Sequence, residues 1–170
     1  DLSQMIEQKS PAQSEIEILK SRLVLGSVIQ ALHLDLNISS TEDTLRNRLL
    51  NKPNYTTEYG PESVIFKDNS KTFAVKEFMI PGQFIDKSLL LNFKNNQFYF
   101  TNPKNDQIVF TGTINQQNHV ANQHGSWKVG IATQDQLTST YTIHKKSLPA
   151  AVAAISSNYA VAERGKMTGI

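Results

Sequence analysis

Residues 10–34, SPAQSEIEILKSRLVLGSVIQALHL, restrict the architecture of this chain more than any other stretch. They read as one long helix. Ser10 stands at the N-cap, Pro11 at the first helical position, and Gln13 three residues after Ser10, the spacing of a capping box. About 24 residues at 1.5 Å each span roughly 36 Å. At 100° per residue the apolar side chains fall into two stripes. Ile16, Leu19 and Leu23 share one side; Ile18, Leu25, Val28, Ile29 and Leu32 lie nearly opposite. A helix with one stripe packs on one core, whereas a helix with two must be covered twice. The second cover is another element of the chain or a neighbouring subunit. The expectation is that Ile18, Leu25, Ile29 and Leu32 pack on the rest of the domain and that Ile16, Leu19 and Leu23 face a subunit.

After Tyr55 the period changes from helical to alternating. SVIFK, KTFAVKEF, SLLLNF, NQFYF, QIVFTGTI, SWKVGIA and STYTIHK are short runs rich in β-branched and aromatic residues, separated by Asn, Asp, Gly and Pro. Seven such runs at roughly ten-residue spacing predict an antiparallel sandwich or jelly roll. Phe66, Phe73, Val75, Phe78, Phe93, Phe110 and Trp127 are its expected interior. Residues 35–40 read as a short strand or a link. Thr41 is placed to cap a second helix over 42–51, which Pro53 ends. Ser147 is placed to cap a third, with Leu148, Val152, Ile155 and Tyr159 as its stripe, and residues 161–170 read as extended. Helices and strands segregated in this way predict an α+β fold.

The 170 residues suffice for one domain, or a domain with a subdomain. A net charge of +2 with scattered basic residues argues against a nucleic-acid partner. The absence of Cys excludes disulfides, thiol nucleophiles and thiolate metal sites. No run approaches the roughly 18 apolar residues of a membrane span. The chain opens on Asp1 without a leader and stops at Ile170, which reads as a piece of a longer protein.

Catalytic patterns are weak. His119 and His124 lie five apart in NQQNHVANQHG, but no Cys or carboxylate completes a metal set, and two solvated loop histidines are the preferred reading. His33 suits the negative end of the first helix. Gly165-Lys166 lacks the P-loop pattern, because Ala160 and Met167 stand where Gly and Ser or Thr are required. The carboxylates of the β block show no spacing that favours a catalytic pair. No catalytic residue, cofactor or metal site is assigned. The many Asn and Gln residues, with Trp127, Tyr99 and Tyr141, allow sugar binding, so Trp127 and Tyr99 are candidate sugar contacts. The preferred reading puts Trp127, with alternating Val129 and Ile131, in the core.

Ser14-Glu15-Ile16-Glu17-Ile18-Leu19-Lys20-Ser21-Arg22, with Val24-Leu25-Gly26 after it, resembles the periplasmic region of bacterial tyrosine autokinases of the Wzc type, within the Wzz-like polysaccharide co-polymerases. Residues 148–159 and the closing Ala162-Glu163-Arg164-Gly165-Lys166-Met167-Thr168-Gly169-Ile170 are similar to that family's helix and its entry to the next strand. Phe78-Met79-Ile80-Pro81 and the strands after it resemble the β-sandwich insertion of the autokinase branch. The resemblance implies a Wzz-like base over 1–54 and 146–170 and an inserted sandwich over 55–145. It implies a parent kinase of the bacterial inner membrane that controls capsular or exopolysaccharide polymerisation and export. This chain would be its periplasmic part, non-catalytic and without cofactor, working as a homo-oligomer with the polymerase and export machinery. The alternative is a carbohydrate- or partner-binding sandwich that senses the exported polysaccharide.

Overall fold

Apolar residues alternating at a period of two can bury one face of a strand, and two such faces must then be pressed together. The computed structural model describes residues 10–41, 49–50, 54–69 and 71–167, with residues 159–167 as backbone alone. Five strands, β1 (Leu36–Ser40), β5 (Ser88–Lys94), β6 (Gln97–Thr101), β7 (Ile108–Thr113) and β10 (Tyr141–Lys145), make one sheet in the order β1-β10-β5-β6-β7. Five more, β2 (Tyr55–Tyr59), β3 (Val64–Asp68), β4 (Lys71–Met79), β8 (Gln117–Asn122) and β9 (Gly125–Ala132), make the other in the order β2-β3-β4-β9-β8. Every pairing is antiparallel. Helices α1 (Pro11–Leu32) and α2 (Leu148–Met167) flank the strands in sequence. The fold is α+β, as the sequence predicts.

Aromatic rings fill the space between the sheets. Tyr141 of β10 meets Phe66 of β3 edge-on at 5.2 Å and Phe73 of β4 at 5.0 Å. Further along, Phe78 of β4 meets Phe100 of β6 at 5.6 Å, and Trp127 of β9 stacks on Phe110 of β7 at 5.0 Å. All seven residues expected inside are buried, Trp127 among them. Each buried ring contributes about 1.5–3 kcal/mol through area alone, and a favourable ring pair about 0.5–1.5 kcal/mol more.

β7 and β8 follow one another in sequence but belong to different sheets. Asparagine side chains sew this edge. Asn118 accepts from the Thr113 N–H at 2.9 Å and donates to Thr113 O at 3.0 Å and Val129 O at 3.2 Å. Asn122 donates to Val109 O at 2.9 Å and accepts from the indole N–H of Trp127 at 3.1 Å. Asn69, Asn95 and Asn115 hold turns with φ of 50°, 57° and 63°, a left-handed region that Asn tolerates better than most residues.

Three sequence expectations are revised. NQQNHVANQHG is not a polar loop: its middle is edge strand β8, whose backbone pairs with β9 and whose amides bridge to β7. The stretch YTTEY forms β2, although its polarity hid it. Residues 161–167 continue α2 rather than running extended; Ala, Glu, Arg, Lys and Met are strong helix formers and no Pro interrupts them. The link over 35–40 resolves as β1, which pairs with β10 through five register pairs, so the first sheet takes its edge strand from outside 55–145. The helix expected over 42–51 lies almost wholly outside the described residues.

Two glycines give predictions of opposite sign. A Cβ on Gly112 would lie 2.5 Å from Phe98 Cζ, inside the buried sheet, so Gly112→Ala is expected to cost about 1–3 kcal/mol. A Cβ on Gly26 would meet Leu148 at an ordinary 3.7 Å within α1. Gly26→Ala is therefore expected to stabilise by about 0.5–1 kcal/mol. Urea unfolding of the two variants checks both signs.

Candidate interaction surfaces

Helix α1 starts with the expected capping box: Gln13 N–H donates to Ser10 Oγ at 3.2 Å and Ser10 N–H to Gln13 Oε1 at 3.1 Å. It ends at His33, which takes a left-handed conformation at φ 56° while Leu34 N–H bonds back to Ile29 O at 3.0 Å. His33 Nε2 lies 3.3 Å from Pro61 O. Asp35 and Lys145 form an ion pair at 3.2 Å, and Lys145 also donates to Phe78 O at 3.2 Å. The Tyr59 hydroxyl donates to Leu36 O at 2.9 Å. Burial, with smaller effects of Asp35 and Tyr55, pushes that phenol above its usual range. These contacts fix the root of α1 to the sandwich.

The root of α2 is fixed by Asp86. Its own N–H donates to Lys145 O at 2.8 Å, and its carboxylate accepts from Ser147 N–H at 2.8 Å. The backbone and hydroxyl hydrogen bonds from Ser147, and to a lesser degree His144, hold the carboxyl below its ordinary value. The two helices then meet where Leu148 lies over Gly26. Between them runs an apolar groove of 610 Å³, lined among others by Leu19, Leu23, Leu148 and Val152.

Neither stripe of α1 is fully covered. Ile16, Leu19 and Leu23 are 50%, 64% and 76% exposed, and Ile18 of the opposite stripe is 53% exposed. Only Gly26 and Ile29 of α1 are buried. The expectation that Ile18, Leu25, Ile29 and Leu32 would all pack inward thus holds for Ile29 and fails for Ile18. Only the last turns of the helix reach the sandwich, and α2 approaches the Leu19 and Leu23 side instead.

A second concavity, 510 Å³, opens where the 3₁₀ turn Gly82–Phe84, the β6–β7 loop and the β8–β9 turn converge. Phe84, Leu89 and Val109 form its apolar part, and Lys87, Lys104 and His124 border it. Trp127 and Tyr99, expected as sugar contacts, are not among its lining residues. Trp127 is 1% exposed and sits behind Phe84 at 5.2 Å, so it offers no ring face to a ligand. Tyr99 lies half-buried between inward-facing Phe98 and Phe100 and so faces the other side of the sheet. No spacing signal in the sequence joined Phe84 and Lys87, of the β4–β5 connection, to Lys104 of the β6–β7 loop.

The histidines do not assemble. His119 Nε2 lies 3.0 Å from Glu77 Oε2 across β8, β9 and β4, while His124 stands in the following turn with its ring against Phe84 at 5.6 Å. Among the described residues no three His, Cys, Asp or Glu side chains cluster as a metal site. Gly165-Lys166 lies within the helical span of α2. Among the described residues no helix is long and apolar enough to cross a membrane.

No protein-family profile matches the chain. Over its full length it is 56% identical to the Acinetobacter johnsonii protein named tyrosine-protein kinase ptk, of which it spans 23%. It is 27% identical, again along its whole length, to AmsA of Erwinia amylovora, provisionally named a tyrosine-protein kinase, of which it spans 21%. The chain thus spans less than a quarter of each relative it matches.

The lowered Asp86 carboxyl carries a signed pH dependence. Its contribution is complete above the ordinary carboxylate value of 3.8 and is lost as pH falls through the lowered folded value. Asp86→Asn keeps an oxygen acceptor and tolerates φ 60°. It is expected to be less stable than the parent chain at pH 7, with the gap closing as pH falls below about 4. Thermal melts across that range test the sign.

Proposed function

We propose that this chain, a segment of the Wzc-type bacterial tyrosine-protein kinases, is their non-catalytic periplasmic assembly and regulatory domain, in a membrane kinase that controls capsular or exopolysaccharide polymerisation and export. The observation that carries the reading is the uncovered helix. Ile16, Ile18, Leu19, Leu23 and Val24 are all at least half exposed on one element that leaves the sandwich. Each such side chain forgoes roughly half or more of the about 1.5–3 kcal/mol that full burial supplies, and grouped exposure of this kind marks a surface that another surface covers. A second copy of the chain in a homo-oligomer is the cover that fits the proposal, with Ile16, Leu19 and Leu23 at its centre.

Size supports this division of labour: the chain spans 23% and 21% of its kinase relatives, which leaves more than three quarters of such a protein to hold the phosphotransfer machinery. In this reading α1 and α2 act as the base, rooted side by side on the sandwich by Asp35–Lys145 and Asp86–Ser147, while β1 joins the sandwich's first sheet.

Replacing Ile16, Leu19 and Leu23 with Ser in the full-length kinase is expected to shift it toward smaller oligomers on mass photometry. The same triple variant of the 170-residue chain should melt within a few degrees of the parent, since these side chains are exposed. An unchanged oligomer distribution would overturn the interface. ATP turnover by the isolated chain would overturn the non-catalytic assignment.

A further inference from the structure

We propose that the cleft between the 3₁₀ turn, the β6–β7 loop and the β8–β9 turn is a binding site for an acidic saccharide, one whose sugar rings bear carboxylates. The inference is independent of the assembly role, because the cleft lies at the sandwich and shares no residue with the α1–α2 groove.

Size and chemistry carry it. At 510 Å³ the cleft falls in the range of small-ligand sites, about 300–1,000 Å³. Its floor is apolar: Phe84, Leu89 and Val109 are buried and immobilised by the core behind them, with Phe84 packed on Trp127. A pyranose ring has one face of C–H groups that suits such a floor. Its hydroxyls need amide partners, and Gln83, Asn102 and Gln107 line the walls. The Gln107 side chain makes no hydrogen bond among the described residues, which leaves its donor and acceptor available.

Charge decides the class of sugar. Lys87 of the β4–β5 connection and Lys104 of the β6–β7 loop both line the cleft, and neither makes an ion pair among the described residues. No residue lining the cleft is acidic. Asp86, next to Lys87 in sequence, is occupied by Ser147. Two unneutralised ammonium groups over an apolar floor favour a ligand with both carboxylate and C–H surface over a neutral sugar or a bare anion. Because both lysines are exposed, each attraction is modest and screened by salt.

The test uses trigalacturonate, maltotriose and inorganic phosphate as three probes titrated into the 170-residue chain, read by amide chemical shifts and by fluorescence of Trp127, the one tryptophan. The expected result is saturable binding of trigalacturonate with shifts confined to residues 83–89, 102–109 and 122–127, at a Kd of about a millimolar. Maltotriose and phosphate should each bind about tenfold more weakly, and raising salt from about 0.05 to 0.5 M should weaken trigalacturonate several-fold. The double variant Lys87→Gln/Lys104→Gln should lose about tenfold in affinity with an unchanged melting curve; Lys104→Gln alone should lose part of it. Equal binding of maltotriose would overturn the charge selection. Equal binding of phosphate would reduce the site to a plain anion site. Shifts outside the cleft, or no saturation, would overturn the site itself.

Discussion

Facing aromatic rings between two five-stranded sheets are the constraint on which the rest of this molecule depends. Phe66, Phe73, Phe93 and Tyr141 lock one end of the interior; Phe78, Phe100, Phe110 and Trp127 lock the other. Each ring belongs to a strand whose side chains alternate, so a slip of one residue would turn rings out of the core and polar groups into it. Register is therefore fixed by volume as much as by hydrogen bonding. The same packing dictates Gly112, because the Phe98 ring edge comes within 2.5 Å of where a Cβ would stand. It also stiffens the floor of the cleft, where Phe84 is backed by Trp127.

Amide side chains complete what the rings begin. A sheet sandwich has open edges, and the edge at β7 and β8 is joined through Asn118 and Asn122 instead of a shared ladder. Asn92 bonds Thr101 and Thr140, and Asn115 bonds both backbone groups of Thr133. An Asn-rich composition that suggests sugar binding is thus largely consumed inside the framework. What remains for a ligand is a small set of loop residues.

The helices obey a different economy. α1 is held at its C-terminal root by Ile29, His33 and the Asp35–Lys145 pair, and α2 at its N-terminal root by Asp86. Beyond Gly26 and Leu148 the sandwich offers α1 no cover, so its apolar side chains stand in solvent. A well-packed sandwich with uncovered apolar helix surface beside it is the arrangement that the proposed assembly role requires. Its 56% identity to a tyrosine-protein kinase of which it spans 23% agrees with that division.

The sequence by itself determined the elements whose signals are local. The Ser10–Gln13 box fixed the start of α1, and alternation fixed β3 to β7, β9 and β10 with their buried rings. It also identified Ile16, Leu19 and Leu23 as a separate stripe, because helical period alone places them. Only the tertiary structure decided what lies opposite what. β8 reads as polar because Asn118 and Asn122 reach Thr113 and Val109 in the other sheet, which no local period records. Burial settles Trp127 as core alone, and Phe84 and Lys87 of the β4–β5 connection meet Lys104 of the distant β6–β7 loop in one cleft. Propensity and alternation are properties of neighbours in the chain; enclosure is a property of segments brought together from far apart, and it is enclosure that makes a site.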